Sequence, residues 1–177
     1  MTSATAVTGT GTGPVRVRVC AVLVHDGRIC LIRRQRPAGL QLSLPGGLIE
    51  PGEDPPTALR RELLEELGFD TATLPAPPVL RFTQDQETLR PGESAPFRRR
   101  HLVFTAHLPT GFHLAVAATE QDDPHQPPVV WVPAAAAACL HLYPAIGPAL
   151  DQALRPDTTT NRPLLLPAMT GASYQWR

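Results

Sequence analysis

The chain has 177 residues, 42% of them hydrophobic, which suits one domain with a real apolar core. Sixteen basic side chains offset sixteen acidic ones, and that neutrality excludes a protein that grips a nucleic-acid polymer through a concentrated basic face. All sixteen basic residues are arginine, so lysine Schiff-base and P-loop lysine chemistry are excluded too, while a small phosphorylated ligand held by a few arginines is not.

Met1 to Pro14 is rich in Thr, Ala and Gly, without a basic n-region or an apolar h-region. It reads as a flexible tail rather than a signal peptide. Val15 to Val24 (VRVRVCAVLV) begins with alternation and becomes continuously apolar, as a strand entering a core does. Asp26-Gly27 is a tight-turn signal, and Arg28 to Arg33 is the returning strand of a β-hairpin. Cys20 and Cys30 flank that hairpin and read as small core residues. With Cys139 they make an odd set lacking a C-x-x-C pair, which suits free thiols in a reducing, cytoplasmic setting. Gln41 to Leu44 leads into the turn Pro45-Gly46-Gly47, and residues 57 to 67 (TALRRELLEEL) read as a helix. Asp54 is placed to cap it, two prolines occupy its entry and Gly68 follows its end.

Val79 to Thr83 reads as a short strand, Gln84 to Pro96 as a polar connection and Phe97 to Leu108 as a longer strand. Phe112 to Ala117 is a candidate to pair with that strand, and Val129 to Val132 is the last strand expected. Ala134 to Leu142 and Ala145 to Leu154 read as short helices split by Pro144. Beyond Pro156 the Thr- and Pro-rich chain reads as a tail or arm. The expected layout is a tail over 1–14, one domain over 15–155 and a C-terminal tail or arm over 156–177. Strands interleaved with few helices indicate an α/β or α+β fold. No stretch approaches eighteen apolar residues, so no membrane partner is expected.

Glu62, Glu65 and Glu66 have i, i+3, i+4 spacing, which places three carboxylates on one helical face. Leu59, Leu63 and Leu67 form a separate apolar stripe that packs inward. On an isolated helix the acids would be a solvated face, with Arg61 and Glu65 an ordinary i, i+4 pair. The context changes that reading: an arginine-rich segment leads into a glycine turn, Glu53 precedes the helix and Arg61 directly precedes its first acid. Clustered carboxylates repel unless a hard divalent cation such as Mg²⁺ or Mn²⁺ sits among them.

Gly47 to Phe69 (GLIEPGEDPPTALRRELLEELGF) resembles the Nudix box, G-x5-E-x7-R-E-U-x-E-E-x-G-U, where U is bulky aliphatic or aromatic. Gly47, Glu53, Arg61, Glu62, Leu63, Glu65, Glu66, Gly68 and Phe69 occupy every defined position. Seven fixed identities at roughly 6% usage each match by chance on the order of 10⁻⁹ per window. The hairpin, the L-P-G-G entry and the V-V-W-V-P strand also look like this family, so the resemblance spans about Val15 to Leu154.

The resemblance implies an α/β/α sandwich with a mixed sheet and the box as loop–helix–loop. It also implies a hydrolase for diphosphates linked to another moiety, using Mg²⁺, with Mn²⁺ as a substitute, to activate water. Glu62 and Glu66 match the principal metal ligands, Glu65 the third carboxylate, and the carbonyl of Gly46 a position that often completes coordination. Glu53 and Arg61 match the pair that holds the loop against the helix. The general base often comes from an acid in a later loop, and Glu120, beside Asp122 and Asp123, is the candidate. Phosphate contacts are available from Arg33, Arg34 and Arg36 or from Arg98, Arg99 and Arg100, with Arg34 preferred. The six histidines lack metal-ligand spacing and read as structural or surface residues.

The substrate stays open. Leu42 stands where relatives often carry an aromatic, the NADH-cleaving signature S-Q-P-W-P-F-P-x-S is absent, no coenzyme A signature appears, and the prolines at 75, 77 and 78 do not fit ADP-ribose cleavage. Nucleoside triphosphates and nucleotide-sugars both remain candidates. The competing class is a regulatory, ligand-binding Nudix domain, but such domains commonly lose box carboxylates and this chain keeps them all. A prenyl-diphosphate isomerase is a weaker third reading. Dimerisation is common in the family, and the Pro163 to Trp176 segment is available to pack on a second copy.

Overall fold

The computed structural model describes residues 14–155 and 162–177. The expected N-terminal tail, apart from Pro14, and the start of the C-terminal tail therefore lie outside the described residues. Strand β1 (Arg16–His25) and β2 (Arg28–Arg36) form the hairpin, with Val24 opposite Ile29 and His25 opposite Arg28. Asp26 and Gly27 both have positive φ, 46° and 69°, as a two-residue turn matched to strand twist requires.

β2 continues past the expected Arg33 and pairs antiparallel with β3 (Gly39–Ser43). Helix α1 (Pro55–Leu67) follows, with Asp54 Oδ1 accepting from Thr57 N at 2.8 Å and Gly68 closing it at φ 63°. β4 (Val79–Thr88) is antiparallel to β5 (Phe97–His107), and β5 runs parallel to β1 from Arg16–Arg99 to Val24–His107. β6 (Val129–Pro133) pairs with β2, and β7 (Leu142–Tyr143) with β3. β8 (Leu164–Thr170) lies parallel to β4. The mixed sheet has the order β7-β3-β2-β1-β5-β4-β8, with β6 attached to β2.

β1 explains its own sequence. Val19, Ala21 and Leu23 pack against Ala58, Leu59, Leu63 and Leu67 of α1. Cys20, Val22 and Val24 face the opposite way, toward α2 (Ala134–Ala137) and α3 (Leu150–Ala153). A strand covered on both faces is apolar throughout rather than alternating, and the result is the α/β/α sandwich expected. Cys20 and Cys30 are fully buried on opposite faces of the sheet, and burial raises both thiols, Cys20 to about 11. Among the described residues no helix is long and apolar enough to cross a membrane.

Three local expectations change. Phe112–Ala115 is a 3₁₀ turn after Gly111 (φ 88°) rather than a strand. The two alanine-rich helices shrink to four residues each, because Leu142 and Tyr143 are drawn into the sheet beside Leu42 and Ser43. The segment read as a tail or arm contributes β8, which pairs with β4 from Phe82 to Glu87, and β4 itself runs on to Thr88 through residues read as a polar connection. Pro167 discourages a strand reading, but β8 is an edge strand, where a missing N–H is tolerated, and its register shifts just there.

Candidate active site

The turn before α1 is built by close approach to β1. Val19 N donates to Gly47 O at 2.9 Å, and Ala21 N to Pro45 O at 3.0 Å. Gly46 has φ 130°, and a Cβ there would collide with the Val19 carbonyl; one at Gly47 would overlap the Glu62 carboxylate. At Gly46 only glycine fits, whereas a side chain at Gly47 would displace the Glu62 carboxylate. The approach lets Gly46 N donate to Glu66 Oε2 at 2.6 Å, joining the turn to the helix.

Arg61 is the hub of the loop. Its Nε and Nη2 donate to the two oxygens of Glu53 at 2.8 and 2.9 Å, and Nη2 also reaches Leu48 O at 3.0 Å. Its Nη1 reaches Glu62 at 2.9 Å and Glu65 at 3.2 Å. Glu53 Oε2 further accepts from Glu50 N at 3.0 Å. These hydrogen bonds, Arg61 first, hold the Glu53 carboxyl down at about 2 and push the Arg61 guanidinium upward.

Glu66 meets a different environment. Its carboxylate is buried, and the loop before β6 brings two more acids to it. That loop is stitched to the end of α1 by its own backbone: Ala117 N donates to Leu67 O at 2.9 Å and Gln121 N to Glu66 O at 2.8 Å. The carbonyls that a helix leaves unpaired at its C-terminus thereby position Glu120. Oxygens of Glu66, Glu120 and Asp122 lie within 4.8 Å of one another, the one such set of three found among the described residues. From β2, Arg34 bonds to Glu120 and lies 3.8 Å from Glu66. Oε2 of Glu120 is buried without a hydrogen-bond partner.

Burial is the main force on these acids. It pushes Glu66 up to about 8, with Glu120 adding to the rise and Arg18, Gly46 N and Arg34 opposing it. It raises Glu120 as well, where Arg34 opposes it, and it raises the half-buried Glu62 against the pull of Arg61. A group of oxygen donors too crowded and too dry to ionise together suits a hard divalent cation. The orphaned Glu120 oxygen supports that fit, since buried polar atoms ordinarily have partners.

The expected site residues divide in space. Glu66, Glu120 and Arg34 come together with Asp122, whereas Glu62 and the exposed Glu65 stand outside that set and are tied to Arg61. Glu53 and Arg61 form the expected pair, and the Gly46 carbonyl accepts from Arg18 Nη2. The second arginine group lies elsewhere: Arg98 pairs with Glu87 at 2.9 Å, Arg100 with Asp85 at 2.7 Å, and Arg99 donates to Tyr143 OH at 3.0 Å. The histidines stay outside the acid cluster. His101 bonds to Gln86 at 2.9 Å, His25 stacks on His113, and His141 on Tyr174.

Sequence reasoning missed Arg18. Alternation in VRVRV places it beside solvent-facing Arg16, yet it is buried. Its Nη2 also donates to Leu44 O at 3.0 Å, and its guanidinium lies over the Tyr143 ring at 5.5 Å. Its position just before the continuous apolar run was the available signal.

The NUDIX domain family profile matches residues 14–153. A MutT NUDIX hydrolase from Burkholderia pseudomallei is 25% identical, with a TM-score of 0.51 over 69% of this chain and 85% of that one. The E. coli ORF135 protein is 26% identical, with a TM-score of 0.51 over 82% and 100%. A MutT protein from Bacillus halodurans shares the fold at 15% identity, with a TM-score of 0.62 over 88% and 91%. The search of curated proteins found no match. With a complete box folded as loop–helix–loop and a family match over most of its length, the chain belongs to the Nudix hydrolase family, enzymes that act on phosphoric anhydrides.

Proposed function

We propose that the chain is a Mg²⁺-dependent pyrophosphohydrolase that cleaves a nucleoside diphosphate linked to another moiety, with Mn²⁺ able to substitute. The observation that carries this reading is the convergence of Glu66, Glu120 and Asp122 beside the glycine turn, with Arg34 against them. Glu66, Glu62 and Glu65 of α1, together with the Gly46 carbonyl, are the residues that would hold the cation, with Glu120 and Asp122 closing the site from the loop. A bound cation there supplies charge neutralisation for the diphosphate and lowers the pKa of water.

The chain's own residues do the rest. Glu120 takes a proton from the attacking water, a role that its buried Oε2, without a hydrogen-bond partner, supports. Arg34 exchanges its carboxylate contacts for phosphate oxygens, for which a guanidinium fork is suited. Arg61 and Glu53 keep the box loop in place, and Arg18 holds the Leu44 and Gly46 carbonyls from beneath. Such chemistry is mostly positioning and charge stabilisation.

Product analysis by mass spectrometry on nucleoside triphosphates, nucleotide-sugars, dinucleoside polyphosphates and NADH, with Mg²⁺ or Mn²⁺, tests the reading, with Glu66→Gln as control. Metal-dependent turnover abolished in that variant is the expected result. Turnover that survives in Glu66→Gln, or binding without turnover across the panel, contradicts it.

A further inference from the structure

On the face of the sheet away from α1, the 3₁₀ turn Gly147–Ala149 and β8 enclose a cavity of about 320 Å³. Its size falls at the lower end of small-ligand sites, roughly 300–1,000 Å³. Pro167 explains why the sheet opens there. Lacking an N–H, it cannot donate to the β4 ladder, and β8 bulges. Leu166 stands opposite Gln84 and Met169 opposite Gln86, so Pro167 and Ala168 share the single position of Asp85. Buried Ile146, Ala149, Leu166 and Met169 form the floor, and exposed Pro148, Pro167, Ala168 and Ser173 form the mouth.

Gln84 and Ser173 are the polar side chains of the wall. Gln84 is 2% exposed, and its Nε2 donates to Ala145 O at 3.2 Å and to Pro167 O at 3.0 Å. Those two carbonyls fix the orientation of the amide, because the reverse would set oxygen against oxygen. The Oε1 atom is left buried, with no hydrogen-bond partner among the described residues. Ser173 is spent on its own turn: its Oγ donates to Ala168 O at 3.2 Å and accepts from Thr170 N at 2.8 Å. Buried polar atoms ordinarily have a partner, so this wall lacks one thing, a donor. No charged side chain lines the cavity, and it is therefore not built for phosphate.

We propose that this cavity binds a neutral, largely apolar small molecule that presents one N–H or O–H donor, which Gln84 Oε1 accepts. The ligand is chemically unlike a diphosphate and sits on the opposite face of the sheet from the acid cluster, so the inference stands apart from the hydrolase reading. The apolar floor supplies the affinity, and the single acceptor selects for the donor.

Titration of indole, and of indene as a hydrocarbon of the same shape without the N–H, into the isotope-labelled full chain tests the site by amide chemical shifts. Indole shifts the amides of Ala145, Ala149 and Ala168 and binds at least tenfold more tightly than indene. Gln84→Leu removes the acceptor at similar volume, and the preference for indole is lost. Ala168→Phe fills the mouth from an exposed position and blocks both molecules, which keeps the test decisive if Gln84→Leu does not fold. A melting temperature close to that of the wild type shows that a variant is folded. Equal affinity for indole and indene, no shift in these amides at millimolar indole, a preference that persists in folded Gln84→Leu, or binding unchanged in Ala168→Phe overturns the proposal.

Discussion

Two groups of carboxylates meet at acids within one turn of each other on α1, and they are held in opposite ways. Around Arg61, the acids Glu53, Glu62 and Glu65 share one guanidinium, and Glu53 is ionised down to about 2. Around Glu66, burial outweighs the nearby arginines, so that Glu66 rises to about 8 and Glu120 rises beside an oxygen with no partner. In the first group Arg61 satisfies Glu53, which serves as scaffold, and also holds Glu62 and Glu65, two of the proposed cation ligands. The second is left incomplete by the protein, and such incompleteness is where a ligand's contribution is largest. The same residue type in one motif thus divides into support and chemistry by its surroundings.

The most severe way to break the contrast is Glu66→Gln. It lowers kcat by about 10³-fold, the scale of several kcal/mol of charge stabilisation. Because it removes a charge that the site disfavours, the metal-free variant melts higher than the wild type at pH 8. A lower melting temperature would show that Glu66 is as well satisfied as Glu53. Arg18→Met acts next, stripping two carbonyls of a buried charged donor. Denaturant unfolding is expected to show a loss of about 2–3 kcal/mol, the scale of hydrogen bonds to a charged group. Glu53→Gln loosens the scaffold without touching the cluster, and metal titration is expected to show affinity reduced about tenfold, as for groups that orient ligands.

The gentlest probe is pH. Folded Glu66 keeps a proton up to about 8, whereas in the unfolded chain it releases one near its ordinary 4.5. Between those values the folded state binds more protons, so metal-free stability falls as pH rises, by at most about 1.4 kcal/mol per unit. Glu53 acts with the opposite sign: its folded value lies below the ordinary one, so its contribution is full above about 4.5 and is lost only as pH falls toward 2. Melting curves from pH 2 to 9 separate the two, the Glu66 loss falling between about 4.5 and 8, and Mg²⁺ is expected to flatten that alkaline loss. A metal-free melting temperature that is constant over this range contradicts the assignment.

The box helix, the hairpin and the glycine turn were legible in the sequence because each is specified locally, by a cap, a Asp-Gly pair or a fixed spacing. The same holds for the Glu53–Arg61 pair, eight residues apart across one loop. What escaped depends on distant chain. Arg18 is buried because Tyr143 and the Leu44–Gly46 carbonyls close over it. β8 exists because β4 offers an edge that tolerates Pro167. The meeting of Glu66 with Glu120 depends on a loop bonded to the distant carbonyls of α1, through Gln121 N to Glu66 O and Ala117 N to Leu67 O, and no local pattern encodes that.

The central claim, that the frustrated acids form the cation site, is tested most directly by titrating Mn²⁺ into the wild-type chain, Glu66→Gln and Glu120→Gln while free Mn²⁺ is followed by electron paramagnetic resonance. The account predicts binding to the wild type that weakens at least tenfold in each variant. Equal binding by all three proteins would contradict it.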